Sequence, residues 1–365
     1  MLSIMVTGWP QGASAAPRCM GRAATIVGTS SSDNLEGTDG DDVVAARGGH
    51  DHISTGRGND LICGGRGSDS ISPGSGHDRI RAGKGFEEVF AGTGDDVAWG
   101  NSGVDALLGG PGRDRLRGGA GADELPGGTA ADRLLGGPGN DVLVSGGGEE
   151  VYFGRDRSDD VMDGGRGADK VEYFDVERGG EATARRVDLL RGIARGEGRD
   201  RLKSIEDAEI WGRRTYLRGN ARANFLSAEG EIRGGRGPDD ITFGRVVWAG
   251  RGRDFLFSSR RARLGRGSDR FEGESGAGGY IVHGGPGRDV LDGGIPEGDR
   301  RNDPDSADRF FGGRGHDRLE GRRGPDRLFG RRGDDELLGG AGTDAADGGA
   351  GIDTCRAERR RHCEA

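Results

Sequence analysis

An acidic residue stands at every ninth position from Asp33 to Asp141: Asp33, Asp42, Asp51, Asp60, Asp69, Asp78, Glu87, Asp96, Asp105, Asp114, Asp123, Asp132 and Asp141. Glycines precede most of them by two, four and five residues, and an apolar residue follows two later. The unit reads cleanly in Gly109-Gly110-Pro111-Gly112-Arg113-Asp114-Arg115-Leu116-Arg117. A strict nine-residue period marks a repeat architecture and overrides any local propensity. It also constrains the chemistry. Carboxylates stacked at a fixed spacing repel one another unless a hard, oxygen-seeking cation lies between them, and calcium is the expected ion.

Composition alone would argue for disorder. The 365 residues include 78 glycines, with 32% hydrophobic and 5% aromatic residues, too few for a large globular core. Periodicity reverses that inference, because one apolar residue per repeat can line a narrow continuous core once repeats stack. Those residues are Leu35, Val44, Ile53, Ile62, Ile71, Ile80, Val89, Ala98, Leu107, Leu116, Leu125, Leu134 and Leu143. In each unit the G-x-G-x half must turn tightly, which glycine tolerates. The D-x-U-x half is a short strand that points the aspartate and the apolar residue to the same side. The net charge of -9 gives no reason to expect nucleic acid. No run approaches the roughly 18 apolar residues of a transmembrane helix.

These residues resemble the G-G-x-G-x-D-x-U-x nonapeptides of the RTX (repeats-in-toxin) calcium-binding proteins. The resemblance implies an all-β fold, a parallel β-roll or β-solenoid with two nonapeptides per turn. It implies calcium ions in the turns, held by backbone carbonyls and by aspartates two repeats apart. Carried onto this chain, Asp51 works with Asp69, Asp60 with Asp78, Asp96 with Asp114, Asp105 with Asp123, and Asp326 with Asp344. The full set of expected metal ligands adds Asp42, Asp132, Asp141, Asp169, Asp289, Asp308, Asp317, Asp335 and Asp353. The opening, Cys19, Ala24-Thr25-Ile26-Val27-Gly28-Thr29 and Leu61-Ile62-Cys63-Gly64-Gly65, resembles small secreted actinobacterial members of this family.

The chain divides into five stretches. Residues 1–27 hold a signal-like segment, with Ala13-Ser14-Ala15 as a small-residue cleavage site but no basic start, and then an opening strand. Residues 28–171 are a first calcium-binding roll, in which Glu150 keeps the register and one added residue moves the next position to Asp160. Residues 172–232 are poor in glycine and read as a β insertion or bridging module. Residues 233–354 form a second, less regular roll, resuming around Asp239, Asp254, Asp269 and Asp289. Residues 355–365 cap the stack. Four cysteines suit an oxidising compartment, with Cys355 and Cys363 closing a short loop and Cys19 and Cys63 tying the opening segment to the early repeats. Zinc is disfavoured by the absence of C-x2-C spacing.

Some positions depart from the pattern. Glu87 and Glu150 bring longer side chains into tight turns, and Ala130 replaces the glycine two before Asp132. Sites near these residues, Asp160 and Asp299 are expected to be weak. Arginines in the C-terminal turns, such as Arg322 and Arg323, are expected to hold carboxylates by ion pairs. No G-x-S-x-G elbow and no H-E-x-x-H motif occurs. Pairs such as Asp41-Asp42 point to opposite faces and do not converge on a substrate. His50, His77 and His316 fill variable positions and read as solvated, while Trp211 and Trp248 read as local core.

The expectation is a secreted, extracellular, non-enzymatic protein that binds Ca2+ and folds on binding it, in a structural or adhesive role. The arginine-rich stretches 251–266 and the C-terminal turns raise a cell-surface polymer or polyanion as a further partner. The competing reading is an extracellular hydrolase whose repeats serve secretion or stability, with its centre in residues 172–232.

Overall fold

Each nonapeptide becomes half of one coil. The computed structural model describes residues 16–145, 159–173, 186–196, 198–211, 215–274, 279–294 and 307–364, and every regular element among them is a β-strand. The small-residue run Ala13-Ser14-Ala15, Glu150 and Asp299 lie outside the described residues. The chain forms two compact units, residues 1–174 with 192–205 and residues 175–191 with 206–365.

Unit 1 is a parallel β-solenoid. One ladder runs through Leu61–Arg66, Arg79–Gly85, Val97–Gly103, Arg115–Ala120, Arg133–Pro138 and Val161–Arg166. The other runs through His52–Arg57, Ser70–Ser75, Glu88–Phe90, Ala106–Leu108, Glu124–Pro126 and Val142–Val144. Leu35 pairs with Ile53 and Ile62 with Ile80, an offset of two nonapeptides per coil. Parallel pairing follows because each strand returns to the same ladder only after a full coil. The offset then grows: Leu134 pairs with Met162, and Met162 with Leu202. Strand Arg199–Lys203, from the glycine-poor stretch, thus continues the ladder of unit 1.

Unit 2 is also a parallel β-solenoid, but its coil changes length. Leu217 pairs with Ile232, Ile232 with Val247, and Val247 with Ala262, a period of 15 residues. Leu256 pairs with Phe271 at the same offset. One half-coil keeps the nine-residue G-x-G-x-D loop, while the other shrinks to six. The short half turns at Phe243 and Ser258, which take φ of 62° and 56°. After longer excursions the 18-residue coil returns, with Leu328 opposite Ala346 and Leu337 opposite Cys355.

The core is the apolar series expected from the sequence, divided into two rows, one on each ladder. All thirteen positions from Leu35 to Leu143 are buried, as are Ile232, Val247, Leu256, Phe310 and Leu328 in unit 2. Full burial of such a side chain contributes about 1.5–3 kcal/mol, and the contribution recurs on every half-coil. Phe271 widens its row and meets Tyr280 and Phe310 edge-on, at ring centroid distances of 5.3 and 5.9 Å. Disulfides join Cys19 to Cys63 and Cys355 to Cys363. Trp211 departs from the expectation of local core: it is 46% exposed. Trp248 is half-buried on an outer face, beneath the Arg233 guanidinium.

Glycine is required where coils touch. A β-carbon on Gly103 (φ 139°) or Gly121 (φ 141°) would collide with a backbone carbonyl oxygen of the preceding coil. Arg47, Asn101, Arg322 and Arg331 replace glycine four before an acidic residue and still adopt φ of 76–86°, as Ala130 does at 78°. The fold imposes the left-handed conformation there, at a cost of roughly 1–2 kcal/mol per residue.

Candidate metal centres

The buried aspartates form columns along the edges of each solenoid. In unit 1, Asp51, Asp69, Asp105, Asp123, Asp141 and Asp169 lie on one edge, with Glu87 in the same column. Asp42, Asp60, Asp78, Asp96, Asp114 and Asp132 lie on the other. In unit 2, Asp289, Asp317, Asp335 and Asp353 share one edge, and Asp308, Asp326 and Asp344 the other. All are buried. Residues beside them, such as Asp41 and Asp95, are exposed, so neighbouring acids do point apart.

One contact repeats along each column. The backbone N–H of an aspartate donates to Oδ1 of the aspartate one coil later. The distances are 2.9 Å for Asp51 to Asp69, 2.8 Å for Asp60 to Asp78 and 2.8 Å for Asp96 to Asp114. They are 2.9 Å for Asp105 to Asp123 and 2.9 Å for Asp326 to Asp344. The five pairs carried over from the family therefore stand next to each other. The aspartate carbonyl accepts from the next coil as well, as from Ser70 N–H to Asp51 at 2.8 Å. Across the lengthened coils the contact persists, from Asp132 to Asp160 at 2.9 Å and from Asp141 to Asp169 at 3.0 Å.

The second carboxylate oxygen is the functional clue. Oδ2 of Asp51, Asp60, Asp69, Asp78, Asp96, Asp105, Asp114, Asp123 and Asp141 is buried with no hydrogen-bond donor. The same holds in unit 2 for Asp289, Asp317, Asp326, Asp335, Asp344 and Asp353. A buried charged oxygen without a partner costs several kcal/mol, so one such atom per half-coil demands a counter-charge or a proton. Other oxygens gather at the same place. A β-carbon built on Gly312 would lie 2.5 Å from Asp317 Oδ2 and 2.9 Å from the Gly330 carbonyl oxygen. The open face of that glycine thus collects a carboxylate oxygen and a carbonyl oxygen from different coils, with no donor between them.

These donors fit calcium, which takes several hard oxygen ligands from carboxylates and carbonyls in adaptable geometry. Among the described residues no three His, Cys, Asp or Glu side chains form a metal-holding cluster. A site here needs backbone oxygens to complete it, and the side chains supplied are oxygen only, which disfavours zinc.

Burial, first, and neighbouring carboxylates push these groups upward in pKa. Asp78, Asp114, Asp254, Asp289, Asp308 and Asp335 are raised from 3.8 to about 7. Asp239 and Asp326 reach about 8. The backbone donor at Oδ1 opposes the shift without cancelling it. Glu87 rises furthest, to about 9, through burial and the adjoining Asp105 carboxyl. Both of its oxygens are buried without a donor.

The columns are closed at their starts by side chains. Asp42 differs from the other expected ligands, since its Oδ2 accepts from Thr38 N–H at 2.7 Å and Thr38 Oγ1 at 3.0 Å. Thr29 does the same for Asp33. In unit 2 Asn224 Oδ1 accepts from Asn220 N–H at 2.8 Å. At the far end Glu358 accepts from Asp344 N–H at 2.7 Å.

Sequence reasoning missed four residues: Asp200, whose Oδ1 accepts from Asp160 N–H at 3.2 Å, and three in unit 2. Asp239, Asp254 and Asp269 look irregular on a nine-residue ruler. They form one column with Asp289, through contacts of 3.0, 2.9 and 3.0 Å. Their signal is the 15-residue spacing, with glycines four and two before each. The histidines do more than the sequence suggests. His50, His77 and His316 are exposed, yet Nδ1 of each accepts a backbone N–H from the next coil, at 3.0, 2.8 and 3.1 Å. Of the C-terminal arginines, Arg322 holds carboxylates by ion pairs as expected, though not those of the columns. It grips Asp292 through two contacts of 2.8 and 2.7 Å, and Arg331 lies over the Phe311 ring.

No curated protein matches the chain. The family model of the RTX calcium-binding nonapeptide repeat matches overlapping segments that together span residues 27–171, and again 281–295 and 305–355. The matched segments include the columns of unit 1 and the return of the 18-residue coil in unit 2, and they exceed half of the sequence. By its repeat, its parallel solenoid and its buried aspartate columns, the chain belongs to the RTX calcium-binding nonapeptide repeat family.

Proposed function

We propose that this protein is an extracellular calcium-dependent structural or adhesive element, without catalytic activity, whose fold is completed by the ions it binds. The observation that carries this reading is the column of buried Oδ2 atoms without donors. Asp51 to Asp141 on unit 1, and Asp289 to Asp353 with Asp308, Asp326 and Asp344 on unit 2, would hold the ions together with backbone carbonyls. Bound calcium supplies positive charge between stacked carboxylates. The chain itself fixes each carboxylate through Oδ1 and excludes water by burial.

Binding to the folded state alone stabilises it by RT ln(1 + [L]/Kd), about 2.7 kcal/mol per site at a hundredfold excess. Extracellular calcium modules work at Kd values of about 10⁻⁴–10⁻³ M. Sites of that strength favour the folded chain outside the cell and the unfolded chain in calcium-poor cytosol. Secretion and the clipping of the signal-like start belong to this reading, supported by the two disulfides. A polyanionic surface partner belongs to it as well. The alternative, a hydrolase centred on residues 172–232, would need a nucleophile and base brought together there. Equilibrium dialysis against millimolar calcium tests the reading: several ions per chain are expected, and fewer than about two would overturn it.

A further inference from the structure

The outer faces of the two ladders in unit 2 differ in charge and in how that charge is satisfied. On one face Arg270, Arg318 and Arg322 are paired, with Glu272, Glu336 and Asp292 respectively, while Arg356 at the end of that ladder is exposed. On the opposite ladder Arg261, Arg263, Arg309 and Arg327 project outward and are exposed. Among the described residues these four have no carboxylate partner. Arg309 stands directly opposite Arg327 on the neighbouring strand. Like charges directly opposite are destabilising, so the fold holds repulsion on this face that no carboxylate among the described residues of unit 2 relieves by pairing. Unit 1, taken by itself, repeats the arrangement: Arg115, Arg117 and Arg133 are exposed and have no carboxylate partner among the described residues, and Arg115 faces Arg133.

We propose that the arginine-bearing face of unit 2 binds a linear acidic polysaccharide lying along the ladder. The charges from Arg261 to Arg327 span three strand spacings, about 14 Å at ~4.8 Å each, which suits a polymer better than a single small anion. A second copy of the chain is the weaker fit, because the carboxylates of the other face are already held by their own arginines. Single-stranded nucleic acid is also disfavoured. It needs exposed aromatic faces for its bases, and here His283, Phe311 and Phe329 stack on one another at 4.4 and 4.9 Å, which covers both faces of Phe311 and leaves all three rings half-buried. Recognition is therefore by charge at a fixed spacing. The face exists only in the folded coil, so this proposal rests on the calcium-dependent fold.

The test uses the full chain in millimolar calcium at about 0.15 M salt, with chondroitin sulfate as the probe. Neutral dextran and a thymidine oligonucleotide serve as comparisons, and binding is measured by titration calorimetry. The pair Arg309→Gln with Arg327→Gln is expected to weaken chondroitin sulfate binding roughly tenfold and to flatten its salt dependence. The pair Arg270→Gln with Arg318→Gln, ion-paired on the other face, is expected to change it less than about twofold. Absence of binding by the unaltered chain, equal losses from both pairs, or tighter binding of the oligonucleotide would each overturn the proposal. Far-UV circular dichroism of the same samples separates the two readings: a full β signal in calcium with no polymer binding rejects the polysaccharide alone.

Discussion

Protons should substitute for calcium. In the folded chain Asp78, Asp114, Asp254, Asp289 and Asp335 are raised to about 7, and Asp239 and Asp326 to about 8, against 3.8 for the ordinary group. Each pKa unit is about 1.4 kcal/mol, so holding one of these carboxylates ionised at pH 8 costs the fold roughly 4 kcal/mol. Halved for solvent screening, the five such groups in unit 2 still cost on the order of 10 kcal/mol. That is as much as the whole stability of a typical domain, about 5–15 kcal/mol. Because folding raises these pKa values, their stabilising contribution is fully present below about pH 4. It is lost progressively as pH rises from about 4, the unfolded value, through the folded values of about 7 to 8. The calcium-stripped chain is therefore expected to gain β structure when taken from pH 8 to pH 5, and calcium should be needed in higher concentration at pH 6 than at pH 8. Far-UV circular dichroism and urea unfolding across that range measure both. A calcium-free signal that is the same at pH 8 and pH 5 would rule out this linkage, whether the chain is folded at both or at neither.

Asp114→Asn keeps the acceptor for Asp96 N–H and places an amide where the unpartnered oxygen lay. Urea midpoints should show about 1–3 kcal/mol more stability in chelator and a smaller gain from calcium. Gly103→Ala drives a β-carbon into the Gly85 carbonyl oxygen and should cost about 3 kcal/mol or more. The reverse change, Ala130→Gly, relieves a φ of 78° and should gain about 1 kcal/mol in the same unfolding assay. Cys19→Ser with Cys63→Ser opens a cross-link with a sequence separation of 44. The loss should approach about 4 kcal/mol in calcium-loaded protein, read from the thermal midpoint.

The architecture is legible in the sequence because one pattern carries both fold and site. The residue two after each aspartate lies in the core, and the aspartate itself turns inward beside it, as strand alternation requires. The pairing of Asp51 with Asp69 follows from two nonapeptides per coil. What stays hidden has no fixed nine-residue period. Asp239, Asp254 and Asp269 repeat every 15 residues because one half-coil has lost a loop, and a nine-residue ruler sees only irregularity there. Thr38 capping Asp42 has no counterpart in the repeat, and His77 accepting from Asp95 N–H is a contact between coils. Its partners become neighbours only once the stacking register is known. Trp211 misleads because an isolated aromatic in a glycine-poor stretch suggests core, whereas the narrow apolar core leaves it outside.

The most direct test is a calcium titration of the full chain at pH 8 after chelator treatment, followed by far-UV circular dichroism with magnesium as control. A fold completed by calcium predicts a cooperative rise in β signal in the range of about 10⁻⁴–10⁻³ M. It predicts none with magnesium, which dehydrates reluctantly and demands stricter geometry. A complete β signal already present in chelator at pH 8 would contradict it, because the buried aspartate columns would then hold without an ion.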